Sequence, residues 1–164
     1  MVQQYAAAAG AGTSAERYAD LHRALAGLLA GERDLIANTA NFAALVYTTL
    51  PELNWAGCYF LRGNELVLGP FQGRPACVRI AMGRGVCGTA AARRASVLVP
   101  DVHAFDGHIV CDPLSRSELV VPLLKGDRLI GVFDMDSPLP GRFEAADQAG
   151  IESAVALLVS ACRS

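Results

Sequence analysis

A basic cluster is missing from this sequence, and so is any apolar run near the roughly 18 to 20 residues a membrane helix needs. With a formal net charge of −2, the chain offers no electrostatic footing to nucleic acid or an anionic membrane. The opening MVQQYAAAAGAGTS lacks the basic and leucine-rich regions of a secretory signal. No C-x-x-C pair occurs. The five cysteines are odd in number and too sparse for a secreted disulfide scaffold, so the cytoplasm is the expected location. Charged residues, at 18%, are few but ordinary for a packed domain. Without an internal repeat, a heptad pattern or an interdomain linker, 164 residues read as one domain over 14–164. An Ala/Gly-rich tail over 1–13 precedes it and is expected to be loosely ordered.

What is present alternates between helical and strand patterns. From Ser14, taken as an N-cap, Tyr18, Leu21, Leu25, Leu28 and Leu29 fall at helical spacing up to Gly31. A second helix from about Arg33 carries Leu35, Phe42, Leu45 and Val46 and ends at Pro51. Strands are predicted at Trp55–Leu61 and Glu65–Leu68, around the turn Arg62-Gly63-Asn64, and at Ala76–Met82. Gly83-Arg84-Gly85 breaks the pattern, a short helix follows over Val86–Arg94, and Ser96–Val99 is a brief β-branched run. A long aperiodic segment runs from Pro100 to Ser117, and loops of that length inside a compact domain are usually functional. Glu118–Leu124 and Arg128–Asp134 form a second hairpin, and Glu144–Ala161 a closing helix. The order predicts an α+β fold, with helices packed on one antiparallel sheet.

The chemistry-bearing residues gather between Cys77 and Asp136. Cys111 lies in the polar loop, where a thiol is more exposed than packed; His103 and His108 are the nearest groups able to activate it. Cys77 begins a strand and Cys87 opens a helix, whose dipole would lower the thiol's pKa. Either could reach Cys111. Cys58 and Cys162 read as structural. Asp134 and Asp136 point to one face of their strand, but a strict two-residue turn would pair Glu118 with Met135 and aim it at the other. A bulge, for which Pro122 is a plausible site, or a longer turn would bring the three acids together. Their mutual repulsion would then keep a proton available near neutral pH. Trp55 and Tyr59 share a strand face and either line a pocket or fill the core. His103, His108 and Cys111 space a zinc-like H-x4-H-x2-C without a second ligand cluster, so no metal is expected. The glycines about Cys87 lack the context of a dinucleotide fingerprint.

The ordered set NWAGCYF, GPFQGRPACVRIAMGRGVCGTAA, VPDVHAFDGHIVCD, SRSELVVPL and LIGVFDMDSP resembles the free methionine-(R)-sulfoxide reductases, a family of single GAF domains. Cys77-x9-Cys87-x23-Cys111 followed by Glu118, Asp134 and Asp136 carries the likeness, which spans about residues 15 to 160. The resemblance implies a GAF-like fold, with a central antiparallel sheet, terminal helices on one face and the long loop on the other. It implies Cys111 as nucleophile, Cys77 as resolving cysteine and Cys87 as auxiliary thiol. Glu118, Asp134 and Asp136 would hold the substrate ammonium and protonate the sulfoxide oxygen, with Trp55 and Tyr59 around the methyl group. Backbone N–H groups near Gly107 could take the carboxylate. It further implies no bound cofactor, regeneration by thioredoxin (with NADPH through thioredoxin reductase), and a homodimer. Two other readings compete: a GAF-type sensor of a cyclic nucleotide or other small molecule, and a thiol-based peroxide sensor.

Overall fold

A computed structural model of the chain describes residues 12–163, so most of the expected tail lies outside the described residues. Two helices come first, α1 (Ser14–Leu28) and α2 (Leu35–Thr49). α1 is capped by Thr13 rather than Ser14: the Thr13 hydroxyl accepts from the Glu16 N–H while the Glu16 carboxylate accepts from the Thr13 N–H. Asp34 caps α2, and the chain leaves it at Leu50, just before Pro51. Then follow β1 (Trp55–Arg62), β2 (Glu65–Gly73), β3 (Arg79–Ala81), α3 (Gly85–Arg93) and β4 (Val97–Val99). β5 (Ser117–Lys125), β6 (Arg128–Ser137) and α4 (Ala145–Ala161) complete the domain.

The six strands form one antiparallel sheet in the order β3-β2-β1-β6-β5-β4. Alternation along each strand sends one set of side chains to each face. Ala56, Cys58, Phe60, Leu119, Val121, Leu123, Phe133 and Met135 pack under α2 and α4, and α1 lies chiefly against those two helices. Tyr59, Leu66, Ile80, Val120 and Val132 face the other way, against Val86, Cys87, Ala90 and Ala91 of α3. β3 and β4 are opposite edges of the sheet, so the connecting α3 has to cross that second face. The loop after β4 folds back over the same face. These two crossings enclose the site.

Two strand ends differ from the expectation. β2 runs on to Gly73 instead of stopping at Leu68, because a register shift between Gly57 and Tyr59 absorbs the irregular Gly69-Pro70 and pairing with β1 continues. β3 is shorter than predicted and begins at Arg79: one backbone bond from Leu68 N–H to Val78 C=O prolongs the ladder, and then the chain leaves the sheet.

Candidate active site

The acids meet because of one extra residue. Leu124 pairs with Leu129 but Leu123 pairs with Gly131, so Ile130 is a bulge on β6 and every later pair is moved by one. Glu118 consequently faces Asp136 instead of Met135. Leu129 and Val132, three apart, both reach the second face, as only a bulge between them allows. The irregularity is therefore not at Pro122, which keeps a regular partner in Val132 and lies past the last residue of β5 that β4 pairs.

Glu118, Asp134 and Asp136 then line one small space together with Tyr59, Cys87, His108, Cys111 and Ser115. Its volume is about 30 Å³, room for little more than a water molecule. Burial raises the pKa of Glu118 well above the usual carboxylate range, and the neighbouring aspartates push it further. Burial likewise raises Asp136, reinforced by Asp134. Asp134 is pushed up to about 7 by burial, although hydrogen bonds from Cys87 and Glu118 pull the other way. All three shifts run the same way, toward keeping a proton in the cluster at a pH where exposed carboxyls have lost theirs. Asp134 Oδ1 is buried with no hydrogen-bond partner among the protein groups, an acceptor aimed into the pocket.

The thiols divide. Cys77 and Cys111 are joined by a disulfide, with their Cα atoms 5.5 Å apart. Cys87 is a free, buried thiol whose Sγ lies 4.0 Å from Glu118 Oε1. Its pKa is raised well above that of an ordinary thiol, by burial first and then by the three carboxyls. The lowering expected at a helix N-terminus is outweighed, because a few tenths of a charge cannot offset lost hydration beside three acids. Cys58 and Cys162 are buried thiols on the helix-covered face.

Trp55 and Tyr59 are buried, and their polar tips are used. Trp55 Nε1–H donates to Arg74 C=O at 3.1 Å and the Tyr59 hydroxyl to Cys77 C=O at 3.0 Å, pinning the segment that carries Cys77. Trp55 also stacks on Phe71, ring centroids 5.4 Å apart. A Cβ on Gly57 would clash with the Trp55 ring and with Cβ and Cα of Phe71, so glycine there allows the stack.

The long loop is ordered by its own polar groups. Asp101 caps a 3-10 turn over Val102–Ala104, with Val102 buried beneath it. Asn54 Nδ2 donates to Asp112 Oδ2 and Ser115 Oγ, tying the Cys111 segment to the start of β1. Asp112 Oδ1 accepts from Leu114 N–H. Sequence reasoning passed over Asn54 and Ser115; a polar residue directly before an apolar strand was the available signal. His108 Nε2 lies 3.8 Å from Glu118 Oε2. Burial, and then His103, lower its pKa, and burial raises that of Glu118, so both shifts disfavour an ion pair across this contact. His103 lies apart, beside Asp101 on the exposed part of the loop. With Cys111 in the bridge, the loop triad His103, His108 and Cys111 is not a ligand set. Among the described residues, the donors that do converge are Cys87, Glu118 and Asp134, their atoms within 4.8 Å of one another.

The six-stranded antiparallel sheet with its four helices is a GAF-like fold, and the GAF domain family model matches residues 16–162. The free methionine-R-sulfoxide reductase of Escherichia coli is 53% identical over 143 residues, covering 87% of each chain. The X-ray structure of free methionine-R-sulfoxide reductase from Neisseria meningitidis in complex with its substrate superposes with a TM-score of 0.90 at 39% identity, covering 96% of this chain and 95% of that one. The reduced form of the Staphylococcus aureus enzyme gives 0.86 at 46% identity over 88% and 94%. The chain belongs to the free methionine-R-sulfoxide reductases, an oxidoreductase family within the GAF domains.

Proposed function

We propose that this protein reduces free methionine-R-sulfoxide to methionine through Cys111, with Cys77 as the resolving thiol. The observation that carries the reading is the Cys77–Cys111 bridge lying against three buried carboxyls whose pKa values are raised. In the reduced enzyme the Cys111 thiolate attacks the sulfoxide sulfur. Sulfoxide oxygen is a poor leaving group until protonated, and a carboxyl kept neutral by burial is the acid that protonates it. The oxygen passes to Cys111 as a sulfenic acid and methionine leaves. Cys77 then condenses with the sulfenic acid, releasing water and forming the bridge. Thioredoxin, itself reduced by NADPH through thioredoxin reductase, returns both thiols by exchange.

The remaining residues bear on substrate choice. Asp134, with its unpartnered oxygen, and its two neighbours suit the ammonium of a free amino acid. A sulfoxide within a polypeptide has no such ammonium. In the bridged state the pocket is narrow, with about 30 Å³ open to water; opening the bridge frees the Cys77 and Cys111 segments to make room. Tyr59 and Trp55 would wall the methyl group, and backbone N–H groups around Gly107 would take the carboxylate. Cys87, so close to Glu118, serves as an auxiliary thiol.

The test is an NADPH-coupled thioredoxin assay supplied separately with free methionine-R-sulfoxide, its S epimer and a sulfoxide-containing peptide. Turnover of the free R epimer alone, lost in Cys111→Ser, is the expected result. Activity that survives Cys111→Ser would move the nucleophile to Cys77 or Cys87. No turnover on any sulfoxide, even with dithiothreitol, would leave a ligand sensor as the better account.

A further inference from the structure

Isolated apolar side chains on a protein surface need no explanation. Their placement here does. Five large apolar residues are exposed among those described: Ile36, Val78, Val110, Leu114 and Leu139. Three of the five lie within three positions of the bridged cysteines. Val78 follows Cys77, Val110 precedes Cys111, and Leu114 comes three residues after it; they are 62%, 62% and 52% exposed. Because the bridge holds the two segments 5.5 Å apart at Cα, these exposed side chains stem from backbone gathered about the disulfide. Both cysteines are themselves half-buried, within reach of a partner.

The rim of the patch is basic although the chain as a whole carries −2. Arg74, Arg79 and Arg84 are exposed on the Cys77 side and at the pocket mouth. Arg79 is paired with Glu65 and the two cancel, which leaves Arg74 and Arg84 as the arginines of the rim; Asp112 is buried on Asn54, and Asp106 is the exposed acid on the loop. We infer that the surface formed by Val78, Val110 and Leu114, rimmed by these arginines, is the docking site of a protein dithiol with an apolar contact face and acidic surroundings. The inference rests on the reading that Cys77 and Cys111 cycle during turnover. A second copy of the chain seated permanently there would cover the disulfide and stop its reduction, so the occupant has to come and go. Once docked, a partner thiolate attacks one sulfur of the bridge and the other sulfur leaves as a thiolate. The partner's second thiol then resolves the mixed disulfide. Two electrons and two protons pass in; Cys77 and Cys111 end as thiols and the partner as a disulfide.

The experiment compares two reductants, a thioredoxin kept reduced by NADPH and thioredoxin reductase, and dithiothreitol, which needs no docking surface. Wild type, Val78→Asp/Leu114→Asp and Arg74→Glu are assayed with both. The double variant is expected to lose about tenfold or more in kcat/KM for thioredoxin, with dithiothreitol-driven turnover and the KM for the sulfoxide unchanged. Arg74→Glu is expected to lose about threefold at low ionic strength, a difference that fades with added salt. Equal loss with both reductants would mean a structural defect and overturn the assignment, as would full thioredoxin activity in the double variant. Conversion of a wild-type dimer to a monomer by the double variant, seen by sedimentation, would make the patch a self-association face and also overturn it. A wild type inactive even with dithiothreitol would refute the reductase reading itself, an outcome distinct from all of these.

Discussion

Two faces of one sheet, built by the same alternation, have opposite chemistries. On β6, Phe133 and Met135 enter the core beneath α2 and α4, while Asp134 and Asp136 between and beyond them enter the site. The thiols repeat the contrast. Cys58 and Cys87 are both buried with raised pKa values, yet Cys58 lies among apolar groups near Cys162 and Cys87 among carboxyls. The helix-covered face contributes stability, each fully buried side chain about 1.5–3 kcal/mol. The other face burdens the fold, since acids are driven toward neutrality by lost hydration. A site that keeps protons at neutral pH is strained in proportion to its usefulness.

If that division holds, neighbouring substitutions should separate activity from stability. The largest effect is expected from Glu118→Gln, which keeps the shape and removes the proton. It should lower kcat by about 10²- to 10⁴-fold while leaving the melting temperature at pH 8 unchanged or higher. A matching loss of fold would show that Glu118 is structural. The converse belongs to Phe133→Ala, which empties space beside Phe42. It should cost about 3–5 kcal/mol in denaturant unfolding, with specific activity retained in the molecules that stay folded.

The acids also set the pH dependence of stability. A carboxyl whose pKa is higher folded than unfolded binds more protons in the native state, so stability falls as pH rises between the two values. For Asp134 the window runs from about 4 up to about 7. Stability should therefore decline across it, and Asp134→Asn should flatten the decline by on the order of 1–4 kcal/mol. Equal slopes in wild type and variant, from urea melts at pH 5 and pH 8, would mean that Asp134 is ionised throughout.

The helix-covered face was the more legible of the two in the sequence. Leucines at helical spacing, Phe42 and Val46, and the alternation of β5 and β6 read directly as core, because apolar periodicity records burial. The acid face was legible in its residue types and through the family resemblance, but not in its geometry. Nothing local marks Ile130 as the extra residue, since an isoleucine fits a strand and a bulge equally; Pro122, the plausible bulge site, lacks an N–H, which its position past the residues paired with β4 renders harmless. The direction of the Cys87 shift was missed for a related reason. Its helix position is a local property, whereas the three carboxyls that decide its pKa arrive from β5 and β6. Pairing across more than thirty residues fixes that outcome.

The smallest and sharpest test compares two of the buried thiols, Cys87 and Cys58. Cys87 lies within reach of Asp134 and favours its ionised form, lowering a pKa that burial has raised to about 7. Removing that donor in Cys87→Ala should raise Asp134 further, so a proton stays on the acid cluster to higher pH. The alkaline limb of the dithiothreitol-driven rate profile should then shift upward by a few tenths of a pH unit or more, on the scale of one weak hydrogen bond. Cys58→Ala should leave that limb in place and instead cost about 1 kcal/mol of stability for the small cavity under α2 and α4. A limb moved equally by both would show that the two faces communicate through the sheet. A limb moved by neither would mean that Glu118 or Asp136, rather than Asp134, sets the upper bound of activity.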